Sequence, residues 1–199
     1  MSQNLLLLFT RHPELGKCKT RLAKTIGDKK ALSVYKYLLQ HTANITKNIP
    51  VDKQVWYATQ PVVNDIWDSN IYSKKAQQGK DLGERMAYAF AEGFRAGYDH
   101  IIIVGSDLFD VSSTIIEEAF QKLKETDFVI GPAQDGGYYL LGMNTFRKEI
   151  FENKAWSTST VFNDTLKSME DKTVTLLETL NDIDEYEDMK DNTTLMNLL

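Results

Sequence analysis

Acids and bases stand at the ends of apolar runs in this sequence, where a diphosphate and a metal ion could be held side by side. The first such place follows Leu5-Leu6-Leu7-Leu8-Phe9. There Arg11, Lys17, Lys19, Arg21 and Lys24 stand against one acid, Glu14, in a chain of formal net charge -5. A strand that breaks at Pro13 and Gly16 and then enters a helix offers backbone amides and a helix N-terminus to an anion, and the bases add charge. A solvated basic loop is the plain alternative.

The second place is Gly105-Ser106-Asp107, after the run Ile101-Ile102-Ile103-Val104. A carboxylate projecting from the end of a buried strand can ligate a hard divalent ion, Mg²⁺ or Mn²⁺, which bridges to diphosphate oxygens. A turn aspartate would look the same. The third lies at Asn181 to Asp188, in a stretch with six acids between residues 182 and 191 against one base. Asp184 and Glu187 have the spacing of a capping box, and carboxylates favour the first turn of a helix. Asp182, ahead of that helix, is left as a candidate metal ligand.

The fourth is Asp135-Gly136-Gly137-Tyr138-Tyr139. Its glycines suit a tight turn or a close approach of backbone to ligand, and Asp135 could deprotonate an incoming hydroxyl. On a strand the two tyrosines face opposite sides, so one belongs to the core and the other to a site wall. Arg85, in Asp81-Leu82-Gly83-Glu84-Arg85, could reach a phosphate or form a surface ion pair. Trp156 with Ser157 to Thr160 reads as an aromatic anchor before a capped helix, or as a loop on the acceptor side.

The elements that must position these groups alternate. Strands are predicted at 5–10, 51–59, 71–77, 101–104, 128–130, 138–143 and 173–177. Helices are predicted over 19–48, 61–67, 81–98, 112–125 and 159–170, with a last one from about Asp184. Strands alternating with helices define an α/β fold with a mostly parallel sheet, and such sheets bind ligands at the carboxyl ends of their strands. Every group above lies there.

Composition narrows the function further. A single domain over residues 1–199 is expected, with 42% hydrophobic residues to build its core. The net negative charge argues against a nucleic-acid or anionic-membrane binder, while a small phosphorylated ligand needs only a local basic patch. One cysteine, Cys18, excludes an intrachain disulfide and a cysteine-rich zinc site. Its basic neighbours could make the thiol somewhat acidic. His12, His41 and His100 lack metal-ligand spacing. No P-loop, G-x-G-x-x-G or serine nucleophile elbow is present. No membrane span or signal peptide is recognisable, so a cytoplasmic location is expected.

In this order the motifs resemble the DUF2064 family of GT-A-like transferases. The matching segments are Pro13 and Gly16 with Lys19-Thr20-Arg21-Leu22, Asp81 to Arg85, Gly105-Ser106-Asp107, Gly131-Pro132-Ala133 with Asp135 to Tyr139, Trp156-Ser157, and Asp182 with Asp184. The family is similar to nucleotide-diphospho-sugar transferases and to small nucleotidyltransferases such as the 2-phospholactate guanylyltransferase group. The resemblance implies a three-layer α/β/α GT-A-like domain. It implies a metal-dependent glycosyltransferase using a nucleotide-sugar donor and a small-molecule acceptor; the alternatives are a nucleotidyltransferase acting on an NTP and a nucleotide-binding module without turnover.

It places Lys19 and Arg21 at the phosphates, with Arg11, Arg85 and Gly105 in the same nucleotide-binding set. Asp107 with Asp182 or Asp184 would hold Mg²⁺ or Mn²⁺, and Asp107 and Asp135 would be catalytic. Phe109 stands where the family often has proline, and Glu185-Tyr186 replaces a common Thr-Pro. The second departure leaves open which of Asp182 and Asp184 faces the metal.

Overall fold

The run Leu5 to Leu8 is buried on both sides, as befits a strand in the middle of a covered sheet. The computed structural model describes residues 3–199 and places this run in β1 (Asn4–Thr10), flanked by β2 (Asp52–Tyr57) and β4 (His100–Gly105), both parallel to it. β3 (Ser73–Ala76) extends the sheet beyond β2, and β5 (Phe128–Pro132), β6 (Tyr138–Met143) and β7 (Val174–Leu176) extend it beyond β4. The strand order is β3-β2-β1-β4-β6-β5-β7. β6 alone runs antiparallel, to both β4 and β5, because the glycine-bearing turn before it reverses the chain.

Helices cover both faces. Alternation along β1 sends Leu6 and Leu8 toward α2 (Asp28–Thr46) and α4 (Ser113–Lys122), and Leu5 and Leu7 toward α3 (Leu82–Arg95) and α5 (Val161–Lys167). The result is the expected three-layer α/β/α arrangement. A third cluster joins Leu22 of α1 (Thr20–Ile26) and Ala31, Val34 and Leu38 of α2 to Ile183, Met189 and Leu195. Leu195 lies in the short C-terminal α6 (Thr193–Met196). This outer core clamps the acidic segment against the helix that follows the basic loop.

Three expected elements differ. The helix over 19–48 is two helices, because Gly27 adopts φ 84°, a left-handed conformation that ends one helix and starts the next. Residues 61–67 form turns held by Asp65, whose carboxylate accepts from the Trp67 amide, rather than a helix. In place of a helix from Asp184 there is a single 3₁₀ turn, Tyr186–Asp188. Its capping box uses Glu185 and Asp188, one residue beyond the pair that spacing suggested. Asp81 and Ser112 cap α3 and α4, each accepting from the amide three residues on. Among the described residues no helix is long and apolar enough to cross a membrane.

Candidate functional site

β1 is the point where successive strands turn to opposite sides, β2 and β3 to one and β4 to the other. The crevice outside the carboxyl ends of β1 and β4 is where open α/β sheets take ligands. A cavity of about 550 Å³ opens there. Arg11, Lys19, Arg21, Arg85, Gly105, Asp107, Asp135, Asp182 and Asp184 all line it. Its floor is apolar, with Phe9, Met86, Ile103 and Leu141 contributing from the sheet and α3.

Lys19 is the centre of the polar half. It caps α1 in a left-handed conformation (φ 48°) that costs about 1–2 kcal/mol for a non-glycine residue. Its side chain is only 4% exposed, and its ammonium lies 2.8 Å from Asp107 Oδ2 and 3.0 Å from Asp184 Oδ1. Burial alone would lower its pKa, but the two carboxylates outweigh burial and hold it above the ordinary lysine range. Burial likewise works to raise Asp107, and the Lys19 charge with help from Arg11 holds it below the usual carboxylate range instead. Arg21 forms a short ion pair with the other oxygen of Asp184. The candidate phosphate binders and candidate metal ligands therefore contact one another.

Asp182 and Asp184 play different parts. Asp184 is paired with both bases. Asp182 Oδ1 is buried and makes no hydrogen bond. Burial first, then the charges of Asp107, Asp135 and Asp184, push the Asp182 carboxyl up to about 7 against the opposing effect of Lys19. Asp188 shapes the segment rather than the cavity: its Oδ2 accepts from the amides of Asp184 (2.9 Å) and Glu185 (2.7 Å), and its Oδ1 from Asn181. Among the described residues no three His, Cys, Asp or Glu side chains are grouped so as to hold a metal ion as they stand. The unpartnered Asp182 oxygen, surrounded by like charge, is nevertheless a position that a cation would relieve.

Asp135 sits in an exposed turn across the cavity, where its Oδ1 accepts from the Gly137 amide at 2.8 Å. Gly136 is required there twice over. It adopts φ 87°, and a Cβ on it would lie 2.2 Å from the Ser159 carbonyl oxygen. The tyrosines divide as expected between the two sheet faces. Tyr139 is buried and donates to the Glu178 carbonyl (3.1 Å), while Tyr138 packs beside Trp156 in the opposite cluster, and both reach the cavity. Arg85 donates from Nε to the Gly79 carbonyl (3.2 Å) and lines the cavity, so the surface ion pair expected as its alternative is absent among the described residues.

Residues that sequence reasoning missed frame the site from behind. Tyr35 donates to the Arg11 carbonyl (3.1 Å), pinning the start of the basic loop, and burial pushes its hydroxyl up to about 12. The Gln77 amide donates to the Trp56 carbonyl (2.9 Å) at the cavity edge. Neither carries a motif; each lies inside or just after an element whose face is unknown until the fold is. Cys18 corrects another expectation. Burial, not the neighbouring bases, dominates its thiol, which is raised rather than acidified, and Sγ lies 3.1 Å from the His12 carbonyl. His12 stacks on Tyr57 and His41 on Phe109.

A parallel-centred α/β/α sandwich with acids and bases converging at the β1/β4 crevice is the nucleotide-diphospho-sugar transferase fold. The chain belongs to the family of uncharacterized proteins conserved in bacteria, DUF2064, which matches residues 41–158. It is similar over 100% of its length to a solved candidate nucleotide-diphospho-sugar transferase from Desulfovibrio desulfuricans G20, at 30% identity and TM-score 0.88, covering 94% of that chain. More distant likenesses show the fold alone. A cytidylyltransferase from Leptospira borgpetersenii has TM-score 0.61 and 15% identity, over 94% of this chain and 84% of that one. The 4-diphosphocytidyl-2C-methyl-D-erythritol synthase from Anaerococcus prevotii has TM-score 0.60 and 11% identity, over 98% and 96%. No curated protein matches the sequence.

Proposed function

We propose that the protein is a metal-dependent glycosyltransferase that takes a nucleotide-diphosphate sugar and passes the sugar to a small-molecule acceptor. The observation that carries this reading is the convergence of Lys19, Arg21, Asp107, Asp182 and Asp135 on one cavity at the switch point of the sheet. A volume of about 550 Å³ is within the range of small-molecule and cofactor sites. The candidate transferase from Desulfovibrio desulfuricans, alike over the whole chain, supports the same class.

Arg11, Lys19 and Arg21 bind and orient the diphosphate, neutralising charge that builds on it as the sugar leaves. Asp107 and Asp182 would hold Mg²⁺ or Mn²⁺, which supplies further charge neutralisation at the diphosphate when bound. Asp184 holds Arg21 through their ion pair, and Lys19 as long as no diphosphate is bound. Asp135, with one oxygen fixed by Gly137, accepts the proton of the acceptor hydroxyl. The apolar floor and Trp156 exclude water from the donor.

Nucleotidyl transfer is the second reading, favoured by the shared fold of the cytidylyltransferases and by Arg85, whose guanidinium lines the cavity and is available for a phosphorylated acceptor. The two differ in their need for a base. Asp135→Asn abolishes glycosyl transfer but only weakens transfer of a nucleotidyl group to a phosphate, whose oxygen is already anionic.

Thermal stabilisation against NTPs and nucleotide sugars, each with Mn²⁺, Mg²⁺ or EDTA, tests the reading. A ligand at 100 times its dissociation constant adds about 2.7 kcal/mol. A metal-dependent shift larger for one nucleotide sugar than for its bare diphosphate is expected. A shift with an NTP alone moves the assignment to nucleotidyl transfer, and no shift with any member leaves the module without turnover.

A further inference from the structure

A buried ammonium already occupies the carboxylates that a metal would need. Lys19 Nζ lies between Asp107 (2.8 Å) and Asp184 (3.0 Å), and its side chain is nearly closed to solvent. A bare dication entering this cluster must displace the ammonium or bind beside it, with Asp182 as its one carboxylate not already paired. Displacement without a new partner would strand a buried positive charge, which is costly. A diphosphate changes that balance by offering Lys19 oxygen anions of its own, so the ammonium can leave the carboxylates without losing its countercharge.

From this we infer that Lys19 is an exchangeable occupant of the carboxylate cluster, released from Asp107 and Asp184 only when a diphosphate offers its ammonium other anions. This rests on the proposed function, in that it places a diphosphate beside Lys19. On binding, Lys19 passes from Asp107 and Asp184 to phosphate oxygens, which would free Asp107 to hold a dication together with Asp182. Two positive charges enter with the negatively charged phosphates, so the cavity never holds the acid cluster uncompensated. Arg21 stays on Asp184, which keeps the acidic segment docked while Lys19 moves. Metal and diphosphate then tighten each other by a common factor, as linkage requires.

The decisive comparison is Mn²⁺ affinity of metal-free wild type and Lys19→Met, measured by the electron paramagnetic resonance of free Mn²⁺ with no phosphate present. Loss of the resident ammonium should tighten Mn²⁺ binding by at least about tenfold, within the usual range of coupling between two ligands. Equal affinity, or weaker binding by Lys19→Met, overturns the inference. Should Lys19→Met fail to fold, the ¹⁵Nζ resonance of Lys19 in wild type decides. It should stay in place with Mg²⁺ alone and move when pyrophosphate is added at the same Mg²⁺ concentration. A resonance that moves equally with Mg²⁺ alone, or is unmoved by both together, overturns the inference. The proposed function fails separately, when no nucleotide with or without metal stabilises wild type, whatever the two Mn²⁺ affinities prove to be.

Discussion

Two lysine–aspartate clusters sit on this sheet, and they are built to opposite ends. At the β2/β3 edge, Lys74 Nζ lies 2.7 Å from Asp65 and 3.0 Å from the carbonyls of both Val62 and Val63. Asp65 in turn accepts from the Tyr57 hydroxyl and the Trp67 amide. One acid meets one base, all three lysine donors are used, and nothing charged is left over. At the β1/β4 crevice, Lys19 meets Asp107 and Asp184, while one oxygen of Asp182 remains buried and unpartnered with Asp135 nearby. A closed network holds a loop in one shape. A network with excess acid stores repulsion that a cationic ligand relieves, and perturbed carboxylates in a cleft are a mark of function.

The sharpest way to break the comparison is to remove one acid from each cluster. Asp107→Asn should lower turnover with the identified donor by about 10²–10³-fold, the scale of losing one preorganised electrostatic contact. Steady-state kinetics on the variant checks it, and near-normal turnover would remove Asp107 from the site. Asp65→Ala should do the reverse. It should cost about 2–3 kcal/mol of stability, because Lys74, the Tyr57 hydroxyl and the Trp67 amide all lose their acceptor. Nucleotide-induced stabilisation should survive, as chemical denaturation with and without ligand would show.

Asp182→Asn should stabilise the metal-stripped protein above neutral pH by up to about 4 kcal/mol, since a shift of one pKa unit is worth 1.36 kcal/mol. The sign follows from the direction of the shift. The folded protein holds this proton up to about pH 7, whereas the unfolded chain releases it near the ordinary aspartate value of 3.8. Wild-type stability from this group is therefore fully present below about pH 4 and is lost as pH rises through 7. Melting curves of both proteins in EDTA between pH 5 and 8 should diverge with rising pH; parallel curves would mean that Asp182 is not strained. The smallest effect belongs to Arg21→Ala. Its side chain is 56% exposed, so the loss of its pair with Asp184 should cost under about 1 kcal/mol. A larger drop in melting temperature would show that Arg21, and not the outer apolar core, holds the acidic segment in place.

Much of the architecture was legible because its signals are local. Continuous apolar runs mark β1 and β4, and Asp81 and Ser112 announce their helices with capping oxygens. The failures were local as well. Gly27 was passed over inside a long helical pattern, and the acids after Asp184 read as the dressing of a helix that proved to be one 3₁₀ turn. At Gly27 the cause is the positive φ of a single glycine; in the acidic segment packing outweighs short-range preference, since Ile183, Met189 and Leu195 must all reach the same outer core.

The sequence by itself determined an α/β sheet and put the candidate side chains at the carboxyl ends of strands, in the loops beyond them or in the first turns of the helices that follow. Hydrophobic periodicity and turn residues are properties of neighbouring positions, so they can be read along the chain. Only the tertiary structure decided how the acids divide their work. It set Asp184 against Lys19 across 165 positions and left one Asp182 oxygen buried without a partner. Which charge meets which depends on distances and desolvation through space, and these come into being only when the outer core draws the acidic segment onto the basic helix.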